Sequence, residues 1–213
     1  MRKNCNGLTL IEIIVSVTIL GMIFAISFSI LSNYQDIYVS SVIENDLYTQ
    51  NQIILNRIIE KMENIPANEI IPYNPIDSNS IKFRKIISVD DYGNRLFSNY
   101  IELAFSMVTS EKDNNIDDNG DGIVDEGFLV CREYNNEGVL IRSDLIGRNV
   151  MKYDPTADLN GKKGISFTKI DSSNKISISL SLEKPNPKGR ISTDTRIKAT
   201  FKSNLKAIVV LKN

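Results

Sequence analysis

With 213 residues, 42% of them hydrophobic, the chain is long enough for one apolar anchoring segment and one globular domain of ordinary size. Its 25 basic and 26 acidic residues nearly cancel to a net charge of −1. That argues against general nucleic-acid binding driven by charge, leaving only a local patch open. Histidine is absent, so the commonest general base and transition-metal ligand is missing; the expectation is a non-catalytic protein with no small-molecule substrate.

The first element is the run from Leu8 to Leu31, preceded by Gly7 and carrying a single acid, Glu12. As a helix rising about 1.5 Å per residue it reaches roughly 36 Å, enough for a hydrocarbon core of ~30 Å. An ionised acid inside a bilayer costs on the order of 2.5–3.5 kcal/mol, so Glu12 needs a partner. A cut after Gly7 would supply one, because the new α-amino group on Leu8 is a cation one helical turn away. Pairing between two chains offset along a shared axis would make assembly the route by which the charge is neutralised. Arg2 and Lys3 precede the run while Asp36, Glu44 and Asp46 follow it. The expected topology is single-pass in the cytoplasmic (inner) membrane, with the N-terminus inside and the rest exported.

Gly7-Leu8-Thr9-Leu10-Ile11-Glu12, with Gly21 further along, resembles the prepilin cleavage and methylation motif of type IV pilins and type II secretion pseudopilins. The resemblance implies that a prepilin peptidase cuts between Gly7 and Leu8 and N-methylates Leu8. It also implies that Glu12, with Thr9, serves docking into a cell-surface or envelope filament. The implied partners are other pilin or pseudopilin subunits, an inner-membrane assembly platform and membrane lipid. Leu8 stands where phenylalanine is commoner, and Ser29 where main pilins have a helix-kinking proline, which favours a minor, priming or tip subunit. Gln50 to Ile53, Arg57 to Glu60 and Val209 to Asn213 resemble the minor pseudopilin J and minor pilin W type. A secretory signal peptide fits poorly, since no A-x-A-like site follows Leu31. A plain signal anchor explains the length but neither Glu12 nor Gly7.

Beyond the run, Tyr34, Ile37, Tyr38, Val42, Leu47, Ile54, Leu55, Ile58, Ile59, Met62 and Ile65 recur mostly at intervals of three and four. This predicts an amphipathic continuation of the same helix over 32–65. Pro66 ends it, and Pro72 and Pro75 predict an extended linker over 66–80. Over 81–213 the period changes to two: Ile81 to Phe83, Ile101 to Met107, Phe128 to Tyr134, Val139 to Ile141, Ile176 to Leu182, Ile197 to Phe201 and Ala207 to Leu211. Asn135 to Gly138 and Asp171 to Asn174 carry turn chemistry between strands. Helix first and antiparallel sheet afterwards predict an α+β fold, pilin-like by the resemblance, with the amphipathic half of the helix laid on the sheet. The organisation is then a leader over 1–7, a membrane and assembly helix over 8–31, its amphipathic continuation, the linker and the β-rich domain.

One soluble segment carries site chemistry, the acidic loop 113–127. Five acids fall between Asp117 and Glu126, a repulsion that a cation relieves. Oxygens of Asp117, Asn119 and Asp121 alternate as a calcium loop requires, and Gly122 supplies the turn. The Ile123 carbonyl with Asp125 or Glu126 could complete the ligand set. The stretch resembles the opening of EF-hand and related repeat loops, but the twelfth position is Phe128 and a strand follows. The expectation is a shortened calcium loop of weak affinity, against an acidic hairpin holding no ion. Cys5 departs with the leader, and Cys131, alternating with apolar neighbours, reads as a buried small hydrophobe. The favoured function is a minor pilin or pseudopilin; the alternative is an uncleaved, membrane-anchored extracellular calcium-binding or adhesion domain.

Overall fold

A computed structural model of the chain describes residues 9–71, 78–109, 123, 126–152, 164–170, 174–185 and 200–212, without the side chains of residues 36 and 200–204. The leader, residues 1–7, lies outside them. One helix, α1 (Leu10–Met62), opens the described chain and runs through both of its compact units, the first ending at Ile43 and the second spanning Glu44–Asn213. In the first unit no described side chain is buried. Leu10, Ile14, Val17, Phe24 and Phe28 are all more than half exposed, as an apolar helix without a protein partner must be.

In the second unit α1 becomes two-faced. Leu47, Asn51, Ile54, Leu55, Ile58 and Met62 are buried, one stripe at three- and four-residue spacing. The helix stops three residues before the expected end. Asn64 turns to the left-handed conformation at φ 62°, the terminating role asparagine fills when glycine is absent, and Pro66 is extended.

The expected linker 66–80 is partly structured. A single 3-10 turn, Ala67–Glu69, leads into β1 (Ile70–Ile71), while 72–77 lie outside the described residues. The strands that follow are β2 (Ser80–Phe83), β3 (Ile86–Val89), β4 (Arg95–Phe97), β5 (Tyr100–Met107), β6 (Glu126–Tyr134), β7 (Leu140–Met151), β8 (Ser166–Ile170), β9 (Lys175–Pro185) and β10 (Thr200–Val210). The main sheet runs β1-β2-β5-β6-β7-β9-β10, all pairs antiparallel, with β8 also on β9. It curls far enough that Ser78, just before β2, bridges to Phe167 of β8 through two backbone hydrogen bonds of 3.1 and 2.9 Å.

Helix and sheet enclose the core: Phe83, Leu103, Leu129, Val150, Phe167, Ile176 and Ile178 are fully buried alongside the α1 stripe. Polar links among the described residues tie α1 to this framework. Asn51 Nδ2 donates to the Leu180 carbonyl (3.3 Å), Arg57 to the Ile146 carbonyl (3.1 Å), and Lys85 Nζ to the Glu60 carbonyl (2.9 Å). Lys184 meets Asp46 at 3.1 Å. Gly147 on β7 permits a close approach, since a Cβ there would collide with the Ile54 side chain.

Several features depart from the expected strands, among them β8, which no expected strand covered. The β3–β4 hairpin is a small sheet of its own that alternation did not reveal, and β7 runs ten residues past Ile141. Thr200–Val210 is one strand where two were expected; 197–199 lie outside the described residues. The tail is fastened as well: Lys212 donates to the Ile65 carbonyl (2.9 Å) and accepts from the Ala67 N–H (3.1 Å).

Candidate functional site

The start of α1 is built by a reciprocal cap. Thr9 precedes the first helical residue, and the Glu12 carboxylate reaches back to accept from both the Thr9 backbone N–H and the Thr9 hydroxyl, each at 2.8 Å. In return the Thr9 oxygens face the Glu12 N–H, the carbonyl at 3.1 Å and the hydroxyl at 3.4 Å. A threonine followed three residues later by glutamate is the capping box, which satisfies helix-end donors that have no intrahelical acceptor. The acid also lies at the positive end of the helix dipole.

The carboxylate expected to wait for an amine therefore already holds two donors from its own chain. The spacing that foretells this, Thr9-x-x-Glu12, was present in the sequence. Both bonds fall on Oε2, and among the described residues Oε1 has no partner. Gly7 and Leu8, the expected cleavage and methylation positions, lie outside the described residues. Further along, Ser16 donates to the Glu12 carbonyl at 2.7 Å and Thr18 to the Ile14 carbonyl at 2.8 Å. These hydroxyls are satisfied within the helix, as an apolar surrounding demands. By length and composition α1 is able to cross a membrane.

Residues 2–28 match the prokaryotic N-terminal methylation motif. The methylation motif thus covers Gly7, Leu8, Thr9 and Glu12 together with the first turns of α1. Such a motif supports a type IV pilin-like protein, implying processing by a prepilin peptidase, assembly with other pilins and a single-pass membrane anchor. No curated protein and no solved structure matches the chain. The long helix followed by a curled antiparallel sheet is consistent with a pilin-like fold.

The acidic loop is described only at its base. Asp117, Asn119, Asp121 and Asp125 lie outside the described residues, whereas Ile123 and Glu126 are 3% and 7% exposed. Glu126 opens β6, and its carbonyl accepts from the Val108 N–H at 3.4 Å. With Phe128, Asn149 and Lys184 these residues line a cavity of about 410 Å³. Among the described residues alone, no three of His, Cys, Asp or Glu gather closely enough to hold a metal. Phe128, in the position where an EF-hand has its last carboxylate, lies beneath the Arg148 guanidinium, 5.9 Å from the ring centre. Cys131 is buried in β6, and burial pushes its thiol pKa up, which leaves it a poor nucleophile.

Proposed function

We propose that this chain is a minor pilin or pseudopilin, a non-catalytic subunit of a type IV pilus or type II secretion-like filament. The observation that carries the reading is the methylation motif at residues 2–28 running into an apolar, exposed helix whose first turn holds Glu12. On this reading prepilin peptidase cuts between Gly7 and Leu8 and methylates the new terminus. The amine of one subunit then meets the Glu12 carboxylate of the next, through the oxygen that the Thr9 cap leaves over. Ser29 in place of a kinking proline, and the stretches Gln50 to Ile53, Arg57 to Glu60 and Val209 to Asn213, favour a minor subunit of the pseudopilin J or pilin W type.

The exported unit is stabilised by calcium in the loop of Asp117, Asn119, Asp121, Ile123, Asp125 and Glu126. Burial of Ile123 and Glu126 supports this by pinning one end of the loop to the sheet. Co-expression with a prepilin peptidase, followed by mass spectrometry of the N-terminus, tests the function. N-methyl-leucine is the expected end group, and an intact Met1 would favour a permanently anchored binding domain instead.

A further inference from the structure

Where the apolar half of α1 gives out, Tyr34 and Tyr38 stand about one turn apart on the same face, 64% and 60% exposed, with Ile37 beside them equally open. The first charged residue after Glu12 is Asp36, and no lysine or arginine occurs between Lys3 and Arg57. This end of the apolar run therefore has no basic side chain to hold lipid phosphates. What it has is a pair of rings, each with an apolar body and a hydroxyl that seeks a hydrogen bond. Residues of that type collect where hydrocarbon meets water.

The spacing along the helix fits that boundary. Glu12 and Tyr34 belong to the same unit and lie roughly 33 Å apart at about 1.5 Å per residue, against ~30 Å for a hydrocarbon core. Tyr38 is about 6 Å further on, within a headgroup layer roughly 5–7 Å deep. An acid at one boundary and two tyrosines at the other thus bracket a run with no other charge. The tyrosines also suit lipid better than the helix of a second copy. Helix seams inside membranes are built from small residues that let backbones approach, whereas two tyrosines and an isoleucine hold them apart. We propose that Tyr34 and Tyr38 anchor the chain in the lipid interface, their rings among the upper acyl carbons and their hydroxyls bonded to lipid ester carbonyls and water. They, and not basic residues, fix the depth of α1 in the bilayer. This rests on the reading of α1 as a membrane span.

The chain contains no tryptophan, so single tryptophans report depth without background. Phe24→Trp, Tyr34→Trp, Tyr38→Trp and Val42→Trp are each placed in the full chain, in phosphatidylcholine vesicles at low protein-to-lipid ratio. Quenchers are lipid brominated near the chain ends, lipid brominated close to the headgroup, and acrylamide in the water. Phe24→Trp is expected to answer to the deep bromines, Tyr34→Trp and Tyr38→Trp to the shallow ones, and Val42→Trp to acrylamide alone. Tyrosine positions that behave like Val42→Trp, or like Phe24→Trp, would overturn the proposal. So would protection from acrylamide that grows with protein-to-lipid ratio, because a second copy would then be the cover. Adding Tyr34→Ala and Tyr38→Ala to Phe24→Trp should move that reporter by about 3 Å or more, two residues of rise. An unmoved reporter removes the anchoring role. Phe24→Trp also separates the two ideas: out of reach of deep bromines, it sinks the span and the anchor together, whereas a deep Phe24→Trp beside a wet Tyr34→Trp sinks the anchor alone.

Discussion

The Glu12 carboxylate is hydrogen-bonded to both the backbone N–H and the hydroxyl of Thr9, two contacts of 2.8 Å made through a single oxygen. The residue thus has a local duty, closing the start of α1, besides the assembly duty proposed for it. The two duties separate by mutation. Thr9→Ala removes the hydroxyl half of the cap and should speed amide exchange at Glu12 and Ile13 by roughly fivefold, on the typical cost of losing a cap. Filament incorporation should fall only modestly. Glu12→Ala should leave insertion and cleavage intact yet abolish incorporation, scored by comparing sheared filaments with the membrane fraction. Normal incorporation of Glu12→Ala would refute the pairing role.

Gly147 of β7 packs so close to Ile54 of α1 that a Cβ there would collide with the isoleucine side chain. Gly147→Ala should destabilise the second unit by about 1–3 kcal/mol, the usual range for overfilling a packed core. Adding Ile54→Val removes Cδ1, the nearer of the two Ile54 atoms that are struck. The double variant should therefore be more stable than the sum of the two single changes predicts. Urea unfolding monitored by circular dichroism reads both outcomes.

Burial is the largest cause of the lowered pKa of Lys85, with Lys61 adding to it and Glu63 and Glu60 opposing. A lysine pKa below its unfolded value means that the unfolded chain binds more protons between the two values. Stability therefore rises with pH across that interval, up to the ordinary lysine value of about 10.4, and the cost is present in full below the lowered pKa. The stability difference between wild type and Lys85→Met should shift in favour of wild type as pH climbs through this window. Urea titrations at successive alkaline pH values measure it, and a shift of opposite sign contradicts the burial argument.

Calcium should raise the melting temperature of the wild-type chain and not that of Asp121→Ala. At about ten times the dissociation constant the gain is ~1.4 kcal/mol, or roughly 3–6 °C for a unit of this size. Magnesium at the same concentration should do less, because it sheds its waters reluctantly. A flat wild-type response would remove the loop from the list of sites.

Much of the fold was legible because its physics is periodic. The switch from apolar to amphipathic helix, the alternation in β5, β6 and β9 and the Asn135 to Gly138 turn were all visible. In that turn Gly138 sits at φ 81°, a region only glycine enters cheaply. What stayed hidden has causes too. Ile87, Val89 and Leu96 of the β3–β4 hairpin are exposed, so apolar pattern and burial disagree there. The serines of β9 alternate with isoleucine and leucine as an open face would, yet Ser179, Ser181 and Glu183 are buried. Alternation reports one covered face and is silent about the other. The Thr9 cap was missed for a different reason. A lone acid in an apolar run has two possible partners, an amine made by cleavage and the hydroxyl three residues earlier, and hydropathy speaks only for the first.

The clasp between Lys212 and residues 65–67 has a mechanical meaning. A pull transmitted down α1 arrives at Ile65 and is shared at once with the final strand. There the long β9–β10 ladder, paired from Thr200–Pro185 to Val210–Lys175, can resist it through many rungs rather than through a single loop. Tension on the chain would be borne first by the backbone of its last strand.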